Sequence, residues 1–398
     1  MRACHSAAVM LVIACVLISC SSGEVESDAG IAVPVLALSA EPIFVLGEDG
    51  TPEKMFSSVV ARRTASGEVV VGDMASVTVT SFLPDGSFSG IIAGKGTGPG
   101  EVEGRFIMEL PFTDTLVTVG IPPGSPPDVS LFSLTDGFVE RVRMHAPNGQ
   151  PPLTGAAYLG LGNFLVERGL GFTPISTLPD PPALIPDSAT YGILRTAGKD
   201  GEASLVWLPA VQRFSLFTYH WPGGVVPVTM SLHAAGHRTY VVASGSIVWV
   251  VESGSGSLSA YDTDGESVVT STLPLVPRPF DPAALVRARE AAVSRAASAR
   301  DSSGAMAMYD KAILPPSMPL VSEVHSGPDN GLWLRVFELE PGNPQHFIGV
   351  NSAGEVFAQA MVPAGLAVQQ FGPDYVLGVM KDERDVPSVV VYSMATGQ

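Results

Sequence analysis

Six stretches of the chain share one layout: a run of alternating apolar residues, a tight turn carrying a glycine, then a second alternating run. They are 78–94 (TVTSFLPDGSFSGIIAG), 128–144, 190–208, 257–273, 346–362 and 388–398. Period-2 segments around Asp-Gly or Ala-Gly read as β-hairpins, because a two-residue turn needs a positive φ that glycine adopts without steric cost. The turn glycines are Gly86, Gly137, Gly201, Gly265, Gly354 and Gly397. A further strand precedes each hairpin, at 66–73, 114–121, 162–169, 245–252, 330–338 and 374–382. A strand and a hairpin, repeated six times, is the layout of a propeller built from four-stranded blades.

The sixth copy ends after the first strand of its hairpin, so its fourth strand must come from elsewhere. EPIFVLG (41–47) is an unassigned strand near the other end of the chain. Pairing it with the last blade would close the ring and remove two exposed edges, which otherwise template aggregation. The expected fold is therefore all-β: a six-bladed β-propeller over 41–398 with one inserted helix at about 281–302. That helix is announced by Asp281-Pro282, a capping residue followed by proline at the first helical position. The Ala- and Arg-rich run 284–300 follows, carrying Arg287, Arg289, Arg295 and Arg300. These arginines read as a solvated face balancing local acids.

Composition agrees. Hydrophobic residues make up 46% and charged residues 15%, which supports a large core and excludes a disordered chain. The 42 glycines and 34 prolines exclude an all-helical one. The net charge is −17 and no run of Lys or Arg forms a stripe, so nucleic acid is not an expected partner.

The N-terminus reads as an address. Residues 1–19 comprise a short positive region at Arg2 and an apolar run from Ala7 to Ile18, too short to span a bilayer. Leu17-Ile18-Ser19-Cys20 resembles the lipobox of bacterial lipoproteins, which implies cleavage before Cys20 and acylation of that residue. An ordinary secretory signal with an incidental cysteine is the competing reading. Cys4, Cys15 and Cys20 are the chain's three cysteines, so a mature chain keeps one thiol and forms no internal disulfide. Residues 20–40 read as a tether, and no later run of 18 apolar residues predicts a second span. The expected location is the cell envelope, anchored to a membrane on its periplasmic or cell-surface side.

Ala93-Gly94-Lys95-Gly96-Thr97-Gly98-Pro99-Gly100-Glu101 carries a resemblance. Together with Gly67, Val69, Val71 and Asp73 upstream, it is similar to the first blade of bacterial six-bladed β-propellers related to NHL-repeat proteins. The tail 376–392 resembles the closing blade of that family. The resemblance implies a fold and export. It implies no reaction, since propellers host enzymes and plain binding modules alike.

Candidate chemistry is sparse. GKGTGPGE departs from a phosphate-binding P-loop, because Lys95 comes early and Pro99-Gly100 block a helix. It reads as a structural loop between blades, with Glu101 accepting from nearby backbone amides. His233 and His237 form H-x-x-x-H in a context that disfavours a metal-binding helix, and no H-E-x-x-H or G-x-S-x-G is present. Trp249 and Trp333 read as blade-packing residues. What remains is the mouth of the ring: the recognised strands read as the first, channel-lining strand of each blade, and they end in Asp73, Glu167, Arg168, Glu252, Arg335, Lys381 and Asp382. Mixed charges there suit a polar ligand, and Ca²⁺ is the metal such a funnel would take; no cofactor is otherwise expected. The expected function is a monomeric, lipid-anchored binding or scaffold module for a protein or polymer ligand. The alternative is a propeller enzyme, a Ca²⁺-dependent lactonase-like hydrolase or a lyase, which requires Asp73, Glu252 and Asp382 to share a centre.

Overall fold

The computed structural model describes residues 33–47, 56–102, 105–109, 115–121, 128–144, 153–168, 183–196, 204–220, 227–231, 237–294, 316–338 and 344–396, with isolated positions between 302 and 310. The signal stretch 1–19, Cys20, Gly201, Gly397, His233, Arg295 and Arg300 lie outside them.

Six antiparallel sheets follow one another along the chain. Blade one pairs Val59–Arg63, Val69–Asp73, Thr78–Phe82 and Phe88–Lys95, with Glu101–Val102 added in parallel. Blade two pairs Arg105–Glu109, Thr115–Ile121, Asp128–Ser133 and Gly137–Arg143. Blade three pairs Leu153–Gly160, Asn163–Arg168, Tyr191–Arg195 and Ser204–Trp207. Blade four pairs Thr239–Ser244, Ile247–Glu252, Ser257–Tyr261 and Ser267–Thr272. Blade five pairs Val321–Ser326, Leu332–Val336, Gln345–Val350 and Val356–Val362. Blade six pairs Ala367–Phe371, Tyr375–Lys381 and Pro387–Thr396.

The first strands of successive blades meet around a circle. Val59–Arg63 touches Arg105–Glu109, and Leu153–Gly160 touches Thr239–Ser244. Thr239–Ser244 touches Val321–Ser326, which touches Ala367–Phe371, which returns to Val59–Arg63. Between blades two and three the contact runs from Thr115–Ile121 to Leu153–Gly160. Six sheets about one axis make a six-bladed β-propeller.

The ring closes as the hydrophobic pattern predicts. Phe44, Val45 and Leu46 pair antiparallel with Val391, Val390 and Val389, giving blade six its fourth strand from the start of the chain. Ile43 N–H donates to the Val391 carbonyl at 2.8 Å. A second early strand, Val35–Leu38, lies within the stretch read as tether. It bridges blade five, parallel to Gln359 and Ala360, and blade six, antiparallel to Met394, Ala395 and Thr396.

The strands recognised in front of each hairpin are the second strands of their blades, not the first. Their sequences explain why they were conspicuous. Lying between two neighbouring blades, they are buried on both faces and read as nearly unbroken apolar runs: Val69, Val70 and Val71, or Val248 to Val251. The innermost strands, such as TYVVAS and VSEVHS, are half-buried over most of their length and mix polar with apolar residues. Apolar side chains fill the spaces between blades. Ala61, Val69 and Phe82 of blade one meet Leu46, Leu377 and Val391 of blade six, and Val129 and Leu131 of blade two meet Phe164 and Val166 of blade three. Trp333 of blade five stacks on Phe371 of blade six, ring centroids 4.5 Å apart and 12° from parallel.

Two departures from a plain ring are seen. Ala183–Ala189, Val211–His220 and Pro227–Ser231 form an additional three-stranded sheet, adjoining in sequence the Pro-rich stretch 174–190 (PISTLPDPPALIPDSAT) that interrupts the repeat in the third blade. The described part of the inserted helix runs from Pro282 to Ser294; residues 295–301 are outside the described set. Asp281 Oδ1 accepts from Ala283 N–H at 2.9 Å, the cap its sequence announces. Among the described residues no helix is long and apolar enough to cross a membrane.

Candidate functional site

The GKGTGPGE loop is a clamp between blades one and two. Glu101 turns its carboxylate back onto its own loop and accepts from Gly98 N–H at 2.7 Å. A Cβ at Gly96 or Gly98 would meet that carboxylate, so a larger residue at either position would push the Glu101 side chain out of the loop. Gly100 sits at φ +79°, beyond the usual range of an L side chain. Arg141, on the outer strand of blade two, then donates to the carbonyls of Thr97 at 3.0 Å, Gly98 at 3.1 Å and Glu101. The loop's hydrogen-bonding groups are thus directed at the protein itself.

The seven charged residues expected at the mouth lie at or next to the ends of second strands, and each of these strands runs antiparallel to the first strand of its blade. All seven therefore belong to the same end of the ring, but their side chains do not converge. Asp73 is 8% exposed, and its Oδ1 accepts from the N–H groups of Ser58 and Ala75, both at 3.1 Å, while Oδ2 accepts from Ser76 Oγ at 3.0 Å. Glu252 accepts from Ser255 Oγ at 2.8 Å. Asp382 accepts from Arg384 and Val386 N–H at 2.8 and 2.9 Å, which hold its carboxyl below the usual range. Each carboxylate organises its own turn. Lys381 pairs with Asp385 at 3.8 Å, and Arg168 lies over the Trp207 ring at 5.9 Å beside Glu167. Among the described residues no three His, Cys, Asp or Glu side chains group so that they could hold a metal ion, and so Asp73, Glu252 and Asp382 do not form a calcium centre.

One of the seven does enter a cluster. Arg335 donates to Glu323 Oε1 at 2.6 Å, directly opposite it in register on blade five. His325, two residues along the same strand and on the same face, approaches Glu323 Oε2 at 3.4 Å. The hydrogen bond from His325, then Arg335, holds the Glu323 carboxyl below the usual range against the opposing effect of burial. Across the seam, on blade four, the Tyr240 hydroxyl donates to the Ser322 carbonyl at 2.6 Å, with the positive charge of Arg238 nearby. Burial pushes the Tyr240 phenol up. Tyr240, Glu323, His325 and Arg335 thus meet where the innermost strands of blades four and five face each other.

Sequence reasoning found Arg335 and passed over Glu323, Tyr240 and Arg238, because the strands bearing them were not recognised as strands. The available signal was the alternation in VSEVHS, which places Glu323 and His325 on one face. The tryptophans behave as packing residues: Trp249 is fully buried and its Nε1 donates to the Asn330 carbonyl at 2.8 Å. His237 is held against the Ser317 carbonyl at 2.9 Å.

The fold and this cluster define a six-bladed β-propeller with a charged seam at its axis. No family model and no curated protein matches the chain. Solved structures share its architecture at low identity. An inferred exported protein from Bacteroides fragilis is 12% identical, with 92% of this chain and 98% of that one aligned at a TM-score of 0.47. A member of the DUF4221 family from Bacteroides vulgatus is 10% identical over 91% and 99%, at 0.48. The calcium-binding protein regucalcin from Agrobacterium tumefaciens is 9% identical over 92% and 97%, at 0.32. None of the three reaches a TM-score of 0.5, and the fold assignment rests on the strand pairing above.

Proposed function

We propose that the chain is an exported protein, anchored by lipid at Cys20, that uses one end of its propeller ring as a binding module for a protein or polymer ligand in the cell envelope. The reading rests on the joining of two features in one chain. Leu17-Ile18-Ser19-Cys20 follows an apolar run of signal-peptide length, and the ring that follows closes on its own first strands. Several buried acyl chains, at about 0.8 kcal/mol per CH₂, make such an anchor firm. Within the ring, the partly exposed polar group of Tyr240, Glu323, His325 and Arg335 at the seam between blades four and five supports binding.

Substituting Cys20→Ser tests the anchor. Wild-type protein should partition with membranes and incorporate an alkyne-tagged fatty acid, and the C20S variant should do neither. Membrane partition and acyl labelling that survive the substitution would overturn the reading.

A further inference from the structure

The ring carries one strand more than its blades need. A propeller blade is four-stranded, and blade five is complete with its own Val321–Ser326, Leu332–Val336, Gln345–Val350 and Val356–Val362. Blade six is completed by Phe44–Leu46, which pairs with Val389, Val390 and Val391. Val35–Leu38 is left over. It lies in a slot between the two outer strands, parallel to Gln359 and Ala360 on one side and antiparallel to Met394, Ala395 and Thr396 on the other. The Pro34 carbonyl accepts from Gln359 N–H at 2.9 Å, and Ser39 N–H donates to the Ser393 carbonyl at 2.9 Å. A slot with a hydrogen-bonding edge on both sides holds an extended segment by its backbone.

The strand in the slot is held less firmly than the one that closes the ring. Leu46 is fully buried, whereas none of the four residues of Val35–Leu38 is buried and Val35 keeps 52% of its accessibility. Leu36 and Leu38 are the side chains that pack inward, against a cluster that includes Ala358, Ala360 and Met394. Ala37 between them is exposed, so the slot selects two apolar residues at alternate positions. The join to Phe44 passes over exposed Ala40 and Glu41, which leaves room for Val35–Leu38 to lift while Phe44–Leu46 stays paired. Buried apolar contacts set how readily a segment opens, and here they are concentrated in the closing strand.

We propose that the edge shared by blades five and six is a strand-binding site, occupied at rest by Val35–Leu38 and open to an extended segment of a partner protein that carries apolar residues at alternate positions. The partner segment replaces Val35–Leu38, pairs in parallel with Gln359 and Ala360, and sets two apolar side chains where Leu36 and Leu38 sit. The resident strand shows what fits: Val35, Leu36, Ala37 and Leu38 are uncharged, and inward and exposed positions alternate. It is tethered beside the slot, so it competes at high effective concentration, and the slot accepts a partner only while it is lifted. The ring stays closed throughout, because closure belongs to Phe44–Leu46. This surface is separate from the axial seam between blades four and five and goes beyond the binding-module reading.

Fluorescence anisotropy on the detergent-purified full chain tests it, with a labelled peptide of the sequence VPVLALSA, residues 33–40. Wild type should bind the peptide, and the chain carrying Leu36→Ser with Leu38→Ser, which loosens the resident strand, should bind it about tenfold more tightly. Binding by the serine variant alone also supports the proposal, with the resident strand as the stronger competitor. The same peptide with serine at both leucine positions should bind neither chain. Ala37 and Ala395 face each other in register and are both exposed, so Ala37→Cys with Ala395→Cys locks the resident strand by a disulfide without touching the core. The oxidised pair should lose the peptide and regain it on reduction. Hydrogen exchange on the wild type needs no variant. Ser39 and Gln359 N–H, bonded across the slot, should exchange about tenfold faster or more than Ile43 N–H, which is bonded to the Val391 carbonyl. Equal protection of the three amides overturns the proposal. So does a peptide that binds neither wild type nor the serine variant, or one that binds the oxidised pair as well as the reduced one. Single A37C and A395C chains that cross-link to each other when mixed would name a second copy as the donor and overturn the assignment to a foreign partner. Failure on any of these arms leaves the Cys20 anchor and the axial seam standing.

Discussion

Two seams of the same ring are built on opposite principles. Where blade six meets blade one, Leu46, Ala61, Val69, Phe82, Leu377 and Val391 are essentially inaccessible to solvent. The polar groups there are spent on backbone. The Gln370 amide accepts from Arg63 N–H at 2.6 Å and donates to the Arg63 carbonyl at 3.1 Å, imitating a strand pair, and the Tyr375 hydroxyl donates to the same carbonyl at 3.2 Å. Where blade four meets blade five at the axis, the groups are charged and partly exposed. The side chains of Glu323, Arg335 and His325 retain 40%, 33% and 17% of their accessibility. A ring needs one seam where the chain's ends are locked, and every apolar contact there opposes unravelling. Charges with partial access to water contribute little to stability and remain able to meet a ligand. The difference separates closure from recognition within one repeated architecture.

The largest effect should come from removing closure. Deleting 41–47 exposes the edge at Val389–Val391, and the protein should elute as aggregate on size exclusion; a soluble monomer of unchanged melting temperature would break the comparison. Leu46→Ala in the intact chain should cost about 2–5 kcal/mol in denaturant unfolding, as expected for a fully buried leucine. Next comes the polar staple. Gln370→Leu leaves the Arg63 N–H without its side-chain partner and the Arg63 carbonyl with the Tyr375 hydroxyl alone, and should cost about 1–3 kcal/mol. The matched change at the other seam, Glu323→Gln, should cost at most about 1 kcal/mol after solvent screening. Equal losses from the two glutamine-site and glutamate-site variants would show that the seams do not differ as described.

The ring itself was legible because hairpin glycines and doubly buried strands leave strong local signals. Gly86, Gly137, Gly265 and Gly354 all take positive φ between +75° and +82°, and the closing strand at Phe44–Leu46 announces itself as an unpaired apolar run. The first strand of each blade was not legible. Such a strand is short, half-buried and mixed in polarity, so period-2 alternation weakens there. Assigning the second strands to the axis then placed the mouth residues one strand too far out. Asp73, Glu252 and Asp382 look like ligands in sequence because turn-organising and metal-binding carboxylates share the same residue types. Their commitment to Ala75, Ser255 and Val386 appears only when the turns are built. Glu323 and Tyr240 depend on pairing across blades that lie 83 residues apart in sequence, which no local pattern encodes.

The smallest effects separate the seams by pH. Burial raises Tyr375 to about 12 from an ordinary 10.0, so the folded chain favours the neutral phenol. Its contribution is complete below pH 10 and is lost as pH rises from 10 to about 12. Tyr375→Phe should therefore flatten the alkaline limb of a stability profile, at a lower plateau because the bond to the Arg63 carbonyl goes with the hydroxyl. Glu323 has the opposite sign. His325 and Arg335 lower its pKa from 4.5, so its contribution is present above pH 4.5 and is lost as pH falls through the folded value. Glu323→Gln should flatten the acid limb and leave the alkaline one unchanged. Unfolding in guanidinium from pH 3 to 12 on wild type and the two variants reads both limbs. If either substitution alters the limb assigned to the other, the two seams are energetically coupled and the ring does not divide its tasks between them.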